Sequence, residues 1–461
     1  MKINETHTTK VCIVGLGPAG IGSALTFLDS NLASDILCID AGNLFNDRSC
    51  SVLQGKSCDK EKHCQIVSGL GGCSLFGGKL SLFPAGSGFV DILCSRKLAQ
   101  REIQDALKLL SRCLSLEDPK LSENTTKRAE QFWEQLGFKY KYYNLYLYDQ
   151  IELRKAFHNI LLDLKSTGAK LLERTSLIDI KSKERGFIIL AKHASGEDII
   201  IHARYLVLGI GRAGTSLLRS LNSKLNLNGK ENHLEVGIRI EFPTKLYPDI
   251  DKYHKDLKLF FDDARTYCLC KNGKIALYNL EGMCFTEGYY NPKISSGLTN
   301  IGILLRLKPS PQNEKIVYEI KKRVLKVTRG KPGVQRLTEY LGINTDTNKI
   351  STSFNASISY WEKVDINELF PSPLSEKIKN AIYYFVSIIL PKDHWGDVIV
   401  FAPEVHYTGL SFPMNPDFSI IPGMYLIGEC TGKFRGVLQA FASGRICAKS
   451  IIGEENGKKI R

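Results

Sequence analysis

The sequence predicts an α/β chain: a Rossmann-like dinucleotide-binding domain completed by a β-meander, joined to a second, α+β domain. Three observations carry that expectation. A Gly-x-Gly-x-x-Gly turn, Gly15 to Gly20, stands between an apolar run and a helical pattern. Short strand patterns then crowd together from Ala169 to Gly209, and the C-terminal segment returns to a strand, a glycine-rich turn and a helix.

The first unit is the most legible. Lys10–Val14 is a short apolar run, Ile21–Ser30 reads as a helix, and Asp35–Asp40 is a second strand with an acidic end. Such a β-turn-α-β unit of about 30 residues is what a parallel sheet requires. Gly15 allows the tight turn, Gly17 lets the backbone approach a pyrophosphate, and Gly20 lets the helix pack on the strand. Pro18 and Ala19 complete the turn and open the helix, whose free N–H groups favour phosphate. Asp40, 25 residues after Gly15, stands slightly beyond the usual place of the carboxylate that accepts from ribose hydroxyls.

Further along, residues 42–90 lack periodicity and are rich in Gly and Cys, the mark of a long functional loop. Helical patterns occupy 97–114, 123–136 and 151–166, with a Tyr-rich strand at 139–148. Strand patterns follow at 170–173, 176–181, 187–191, 198–202 and 205–208, and a helix at 215–225. Residues 231–400 mix strand and helix. The expected division is 1–220 for the first part of the dinucleotide domain, 221–405 for a substrate or cap domain, and 406–461 for the return.

Composition excludes several classes. With 461 residues, 43% apolar and 24% charged, the chain can bury a large core and is neither disordered nor collagen-like. Its net charge of +14 suits an anionic ligand or surface but is too mild alone to indicate a nucleic-acid binder. Thirteen cysteines, an odd number, and no signal-peptide pattern point to the reducing cytoplasm rather than a disulfide scaffold. Val11–Leu28 carries no charge, yet its glycines and proline read as strand, turn and buried helix instead of a membrane span.

The order of parts resembles the FAD proteins that include p-hydroxybenzoate hydroxylase. That resemblance makes the first domain FAD-binding and implies an adenine-side backbone contact near Leu177. It places Gly211 in the turn after the last meander strand. It sets the closing Met424–Val437 element over the flavin end, with Gly428 ending a strand and Glu429 reaching a ribityl hydroxyl. The family usually has Asp where Glu429 stands. A helix starting at Gly436 and Val437 would aim its N–H groups at developing negative charge on the flavin.

A narrower resemblance covers the chain from about residue 10 to 450. Ser68-Gly-Leu-Gly71-Gly72-Cys73 through Gly77-Gly78-Lys79-Leu80, Leu208–Ala213, Gly237–Pro243, Arg265–Gly273, Gln335-Arg336 and Gly428-Glu429 follow one another as in the NAD(P)/FAD-dependent dehydrogenase (oxidoreductase) flavoproteins of that superfamily. Gly77 departs from that family's Asp, and Cys73 from its small residue. The implied activity is FAD-dependent electron transfer with a small-molecule or anionic substrate. Lys79 is the expected cation or proton donor near the flavin, and Cys73 a neighbouring redox or packing thiol. Arg239 is either the anchor for an anionic substrate or a partner in a salt bridge to Glu241 or elsewhere. Gly209–Gly214 is a second Gly-x-Gly-x-x-Gly. It is read either as a site for an NAD(P)H donor or as the turn where the chain crosses back over the FAD sheet.

Cys50, Cys58, Cys64 and Cys73, with His63, share one loop, but their spacing does not match zinc or iron–sulfur knuckles. They are read as ordinary thiols with no metal assigned, a metal cluster and a flavin-linked dithiol remaining as alternatives. Cys268 and Cys270 would share one face of a strand, which is poor disulfide geometry, and are read as structural. Between Lys315 and Arg336 stand eight Lys/Arg and one acid, with Ile316, Ile320, Val324 and Val327 at helical spacing. This is a solvated basic helix, or a guide for tRNA or another anionic macromolecule. A non-catalytic flavin-binding redox sensor is the remaining alternative.

Overall fold

The computed structural model describes residues 3–45, 48–54, 56–58, 64–343 and 355–457. Its first sheet runs in the order Ser419–Ile421, Met424–Leu426, Asp198–Leu208, Ile3–Val14, Ile36–Ile39, Lys170–Leu172. Ile3–Val14 lies parallel to both of its neighbours, and Met424–Leu426 is parallel to Asp198–Leu208. The meander strands Thr175–Lys183 and Gly186–His193 join through antiparallel pairing with Asp198–Leu208. This is the expected α/β architecture.

Two boundaries differ from the sequence reading. The first strand begins at Ile3 instead of Lys10, and the expected strands 198–202 and 205–208 are one strand, Asp198–Leu208. The first half of that strand buries alternate residues and the second half buries every one. A strand that is one-faced in the meander and two-faced in the core changes its pattern midway, so it reads as two.

Pro18–Asp29 packs against the C-terminal helix Val437–Glu455 with almost no side chain between them. A Cβ on Gly22 would fall 2.2 Å from the Phe441 carbonyl oxygen, and one on Gly444 would fall 1.8 Å from that of Ala19. The N-terminal βα unit and the C-terminal helix are therefore locked together, 400 residues apart in sequence.

The second sheet has the order Glu362–Lys363, Gly333–Arg336, Ile399–His406, Leu234–Pro243, Leu298–Leu307, Ala264–Cys270, Leu259–Phe261, Lys139–Tyr140. The Tyr-rich segment is thus divided: Lys139–Tyr140 closes this sheet, whereas Leu145–Leu147 pairs with Lys79–Ser81. Helix Ser372–Ile389 buries Ile378, Ile382 and Phe385, and the hairpin Lys274–Leu280/Met283–Tyr289 is tied to the sheet by Tyr278 and Thr286, which donate to the carbonyls of Val405 and Pro403. The basic segment is also divided. Gln312–Thr328 is the amphipathic helix, with Ile320 and Val324 buried, while Arg336 lies in a strand and donates to the Gly396 carbonyl at 2.8 Å. No helix among the described residues is long and apolar enough to cross a membrane.

Candidate active site

A cavity of about 430 Å³ opens at the carboxyl ends of the parallel strands and reaches the second sheet. Gly15, Gly17, Pro18 and Ala19 line it, and so do Asp40, Cys73, Leu177, Gly211, Gly428, Glu429, Gly436 and Val437. Gly20 does not. A Cβ there would fall 1.9 Å from the Gly15 carbonyl oxygen, so this glycine serves the contact between turn and helix. Gly17 and Gly436 are the N-caps of the two packed helices, and neither helix has a side-chain cap. Two positive helix ends with unsatisfied N–H groups therefore face one space, a ready site for anionic groups.

The second Gly-x-Gly-x-x-Gly opens on this same cavity. A Cβ on Gly15 would lie 2.5 Å from the Gly209 carbonyl oxygen, so the two glycine turns touch.

Asp40 carries partners of its own at the cavity edge. Its Oδ2 accepts from the Leu16 N–H at 2.7 Å, and its Oδ1 accepts from Gly42 at 2.8 Å and Gly69 at 2.7 Å. The carboxylate braces the first turn against the Gly-rich loop, and a ribose hydroxyl would have to share it with these three N–H groups. Arg48, which the sequence did not single out, staples that loop from behind. It donates to the carbonyls of Leu70 at 2.6 Å, Gly72 at 2.9 Å and Gln65. Burial pulls this guanidinium down to about 10, against the pull of Asp40.

Glu429 is likewise engaged by the protein. Arg212 meets it bidentately, Nε to Oε2 at 3.1 Å and Nη2 to Oε1 at 3.0 Å, and Arg435 Nε lies 3.7 Å away. Arg212 also reaches Glu287 at 3.2 Å and stacks on Tyr278. Burial opposes ionisation of Glu429, but Arg212 and then Arg435 hold the carboxyl below its usual range. The expected ribityl contact would have to compete with two arginines. Arg212 and Glu429 also line a second cavity of about 350 Å³, whose walls include Tyr278, Met283, Phe285, Arg219 and Lys321.

The three expected catalytic residues separate. Cys73 lines the main cavity, and burial pushes its thiol up to about 11, so it is neutral at pH 7. Lys79 lies behind the wall: Nζ is 3.4 Å from Asp256 Oδ1, donates to the Leu269 carbonyl and sits over the Tyr290 ring. Arg239 is fully buried, paired with Glu404 through two 2.7 Å contacts, and donates to Asn300 Oδ1 at 2.8 Å and the Cys268 carbonyl at 3.1 Å. Neither cation is free to meet a substrate. Of the two roles expected for Arg239, the salt bridge is the one formed, to Glu404. Glu241 instead accepts from Ser357, N–H at 2.8 Å and Oγ at 2.5 Å.

The loop cysteines also separate. Cys64 Sγ accepts from the Asn279 N–H at 3.2 Å, the free thiols of Cys58 and Cys284 hydrogen-bond to each other, and Cys73 faces the cavity. His63 lies outside the described residues. Among the described residues, the group placed to share an ion is Glu287, Glu404 and His406, and arginines already neutralise both carboxylates.

No protein-family model matches the sequence, and no curated protein matches it. Solved structures to which this chain is similar include a flavoprotein/dehydrogenase from Cytophaga hutchinsonii at 11% identity and TM-score 0.42, over 99% of this chain and 80% of that one. A p-nitrophenol 4-monooxygenase from Pseudomonas putida matches at 9% identity and TM-score 0.40, over 99% and 82%. A geranylgeranyl bacteriochlorophyll reductase-like protein from Thermoplasma acidophilum matches at 10% identity and TM-score 0.40, over 98% and 80%.

Proposed function

We propose that the chain is an FAD-dependent oxidoreductase of the p-hydroxybenzoate-hydroxylase-like superfamily, in the NAD(P)/FAD-dependent dehydrogenase group. One observation carries this reading: two uncapped helix N-termini and two glycine turns converge on a single cavity. Gly15–Ala19 would hold the pyrophosphate, Leu177 and its neighbours the adenosine, and Gly211, Gly428, Gly436 and Val437 the flavin half. When bound, the flavin supplies two-electron transfer between an NAD(P)H donor and a substrate.

The protein's own part is binding and orientation. Asp40 and Arg48 hold the loops that shape the phosphate end. The helix end at Gly436 offers positive potential where reduction brings negative charge. The second cavity, with aromatic walls and with Arg219 and Lys321 at hand, is suited to a small anionic or amphipathic substrate. In this reading residues 1–220 and 406–461 hold the cofactor, 221–405 contribute the substrate side, and the enzyme works in the cytoplasm.

The test is the absorption spectrum of the purified protein, with the released cofactor identified by mass. Bound FAD is expected. A colourless protein that also fails to take up added FAD would overturn the reading. Anaerobic addition of NADH or NADPH then reports the donor, as bleaching of the flavin absorbance.

A further inference from the structure

Cys268 and Cys270 occupy a place that ordinary strand geometry would not give them. Ala264–Cys270 pairs with Leu298–Leu307 in a register that steps from Tyr267↔Gly302 to Cys270↔Asn300, one residue more on the first strand than on the second. Cys268 stands in this bulge with φ +45°, in the left-handed region that favours glycine. In a flat strand, residues two apart lie about 6–7 Å from one another. Here the bulge brings the two sulfurs to 3.8 Å.

The surroundings are built around this pair. Cys268 and Gly288 both line the main cavity. A Cβ on Gly288 would fall 2.7 Å from Cys270 Sγ and 2.9 Å from Cys268 Sγ, so the missing side chain is the space the sulfurs occupy. Arg239 donates to the Cys268 carbonyl and Lys79 to the Leu269 carbonyl, so two buried cations grip the consecutive peptides of the bulge. Burial works against a thiolate at Cys270, but the Cys268 hydrogen bond, Lys79 and Arg239 outweigh it and draw the thiol below its ordinary range. Cys268 is held up as the protonated partner. Cys270 Sγ also lies 3.4 Å from the Cys268 carbonyl oxygen, and loss of its proton beside a second thiol is the step that opens thiol–disulfide chemistry.

We propose that Cys268 and Cys270 are a redox-active dithiol that exchanges an electron pair with the flavin of the adjoining cavity. In the oxidising direction both S–H bonds break and one S–S bond forms; two electrons and one proton pass to oxidised flavin, and the second proton leaves to solvent. In the other direction reduced flavin returns the pair, and two protons restore the thiols. Lys79 and Arg239 act as positioning residues for the bulge. The proposal rests on the FAD reading and adds a second two-electron centre to it.

Two measurements test it. Anaerobic reductive titration of the FAD-bound protein should consume four electrons per flavin in the wild type and two in C268S and C270S. The variants' flavin content and melting temperature report that their fold is kept. Separately, the cofactor-free protein is equilibrated in dithiothreitol redox buffers, alkylated and digested with trypsin. The peptide Thr266–Lys271 holds these two cysteines and no others. It should pass between a doubly alkylated form and an unalkylated form two hydrogens lighter than the dithiol. Flavin present with two-electron uptake in the wild type overturns the pair alone, as does a peptide that stays doubly alkylated in the most oxidising buffer. Absence of flavin from the protein overturns the cofactor reading instead.

Discussion

Arg212 and Glu429 meet as a bidentate pair, at 3.1 and 3.0 Å, in the wall shared by the two cavities. Both side chains are largely buried, so their attraction is not screened as an exposed pair would be. Glu429→Gln keeps the shape and removes the charge, leaving Arg212 with Glu287 and Arg435 with Glu235. A loss of about 1.5–3 kcal/mol in urea unfolding is expected, the scale of hydrogen bonds to a charged group, since each arginine keeps a second carboxylate. A loss below about 0.5 kcal/mol, the scale of exposed pairs, would show the wall to be solvent-screened.

Gly17→Glu separates folding from cofactor binding. No heavy atom lies within 4 Å of a Cβ built at Gly17, and the residue lines the open cavity into which a longer side chain extends. A carboxylate at this helix N-terminus adds about 0.3–1 kcal/mol of stability by the dipole. It also fills the proposed pyrophosphate space with a like charge. The variant should melt at or slightly above wild type yet carry no FAD after purification with excess cofactor. Stoichiometric FAD in the folded variant would contradict the placement of the pyrophosphate.

Glu241 makes stability pH-dependent. Burial pushes its carboxyl up to about 7, with Ser357 and Arg239 only partly offsetting it, against an ordinary value near 4.5. Between those values the unfolded chain has lost the proton that the fold retains, so the Glu241 contribution to stability falls as pH rises from about 4.5 to 7. Glu241→Gln keeps an acceptor for Ser357 and removes that loss. A gain of about 3 kcal/mol is expected at pH 8, from the size of the shift, and none well below pH 4.5. Equal unfolding midpoints at pH 8 would show that Glu241 ionises in the fold without penalty.

The basic helix should matter little to the cofactor. Lys321 is paired with Glu281 and Arg323 with Glu319, and Lys322 and Lys326 are exposed. Replacing all four with Gln should leave FAD content unchanged and alter stability by tenths of a kcal/mol per site. If an anionic macromolecule is a partner, its binding should weaken and its salt dependence flatten. Wild-type protein with no salt-sensitive binding to bulk tRNA would remove the nucleic-acid alternative.

What could be read along the chain was what neighbours in sequence decide. The turn at Gly15–Gly20 follows from backbone conformations and close approaches that glycine permits, and helices such as Thr215–Leu225 and Gln312–Thr328 show in their own periodicity. The closing strand, turn and helix were legible for the same reason, and so were the glycine turns of the cavity lining, whereas Tyr267, Glu287 and Gly288 on its far wall were not.

Partner choice was not legible, because it depends on which strands pair and in what register. Arg239 meets Glu404 across 165 residues because Leu234–Pro243 lies beside Ile399–His406, with a bulge between Gly237 and Arg239 shifting the ladder. Lys79 is claimed by Asp256, and Glu429 by Arg212, through equally distant contacts. A buried charge must find a counter-charge or a hydrogen-bond partner, but no local pattern says which one. Cys268 and Cys270 show the same limit at the shortest range: two residues apart in sequence, they meet only because the neighbouring strand forces a bulge between them. The sequence by itself determined the glycine turns and the helices that open on the main cavity. The tertiary structure decided which charges are spent on the protein and which sulfurs face each other, because side chains far apart in sequence become neighbours only once the strands have paired.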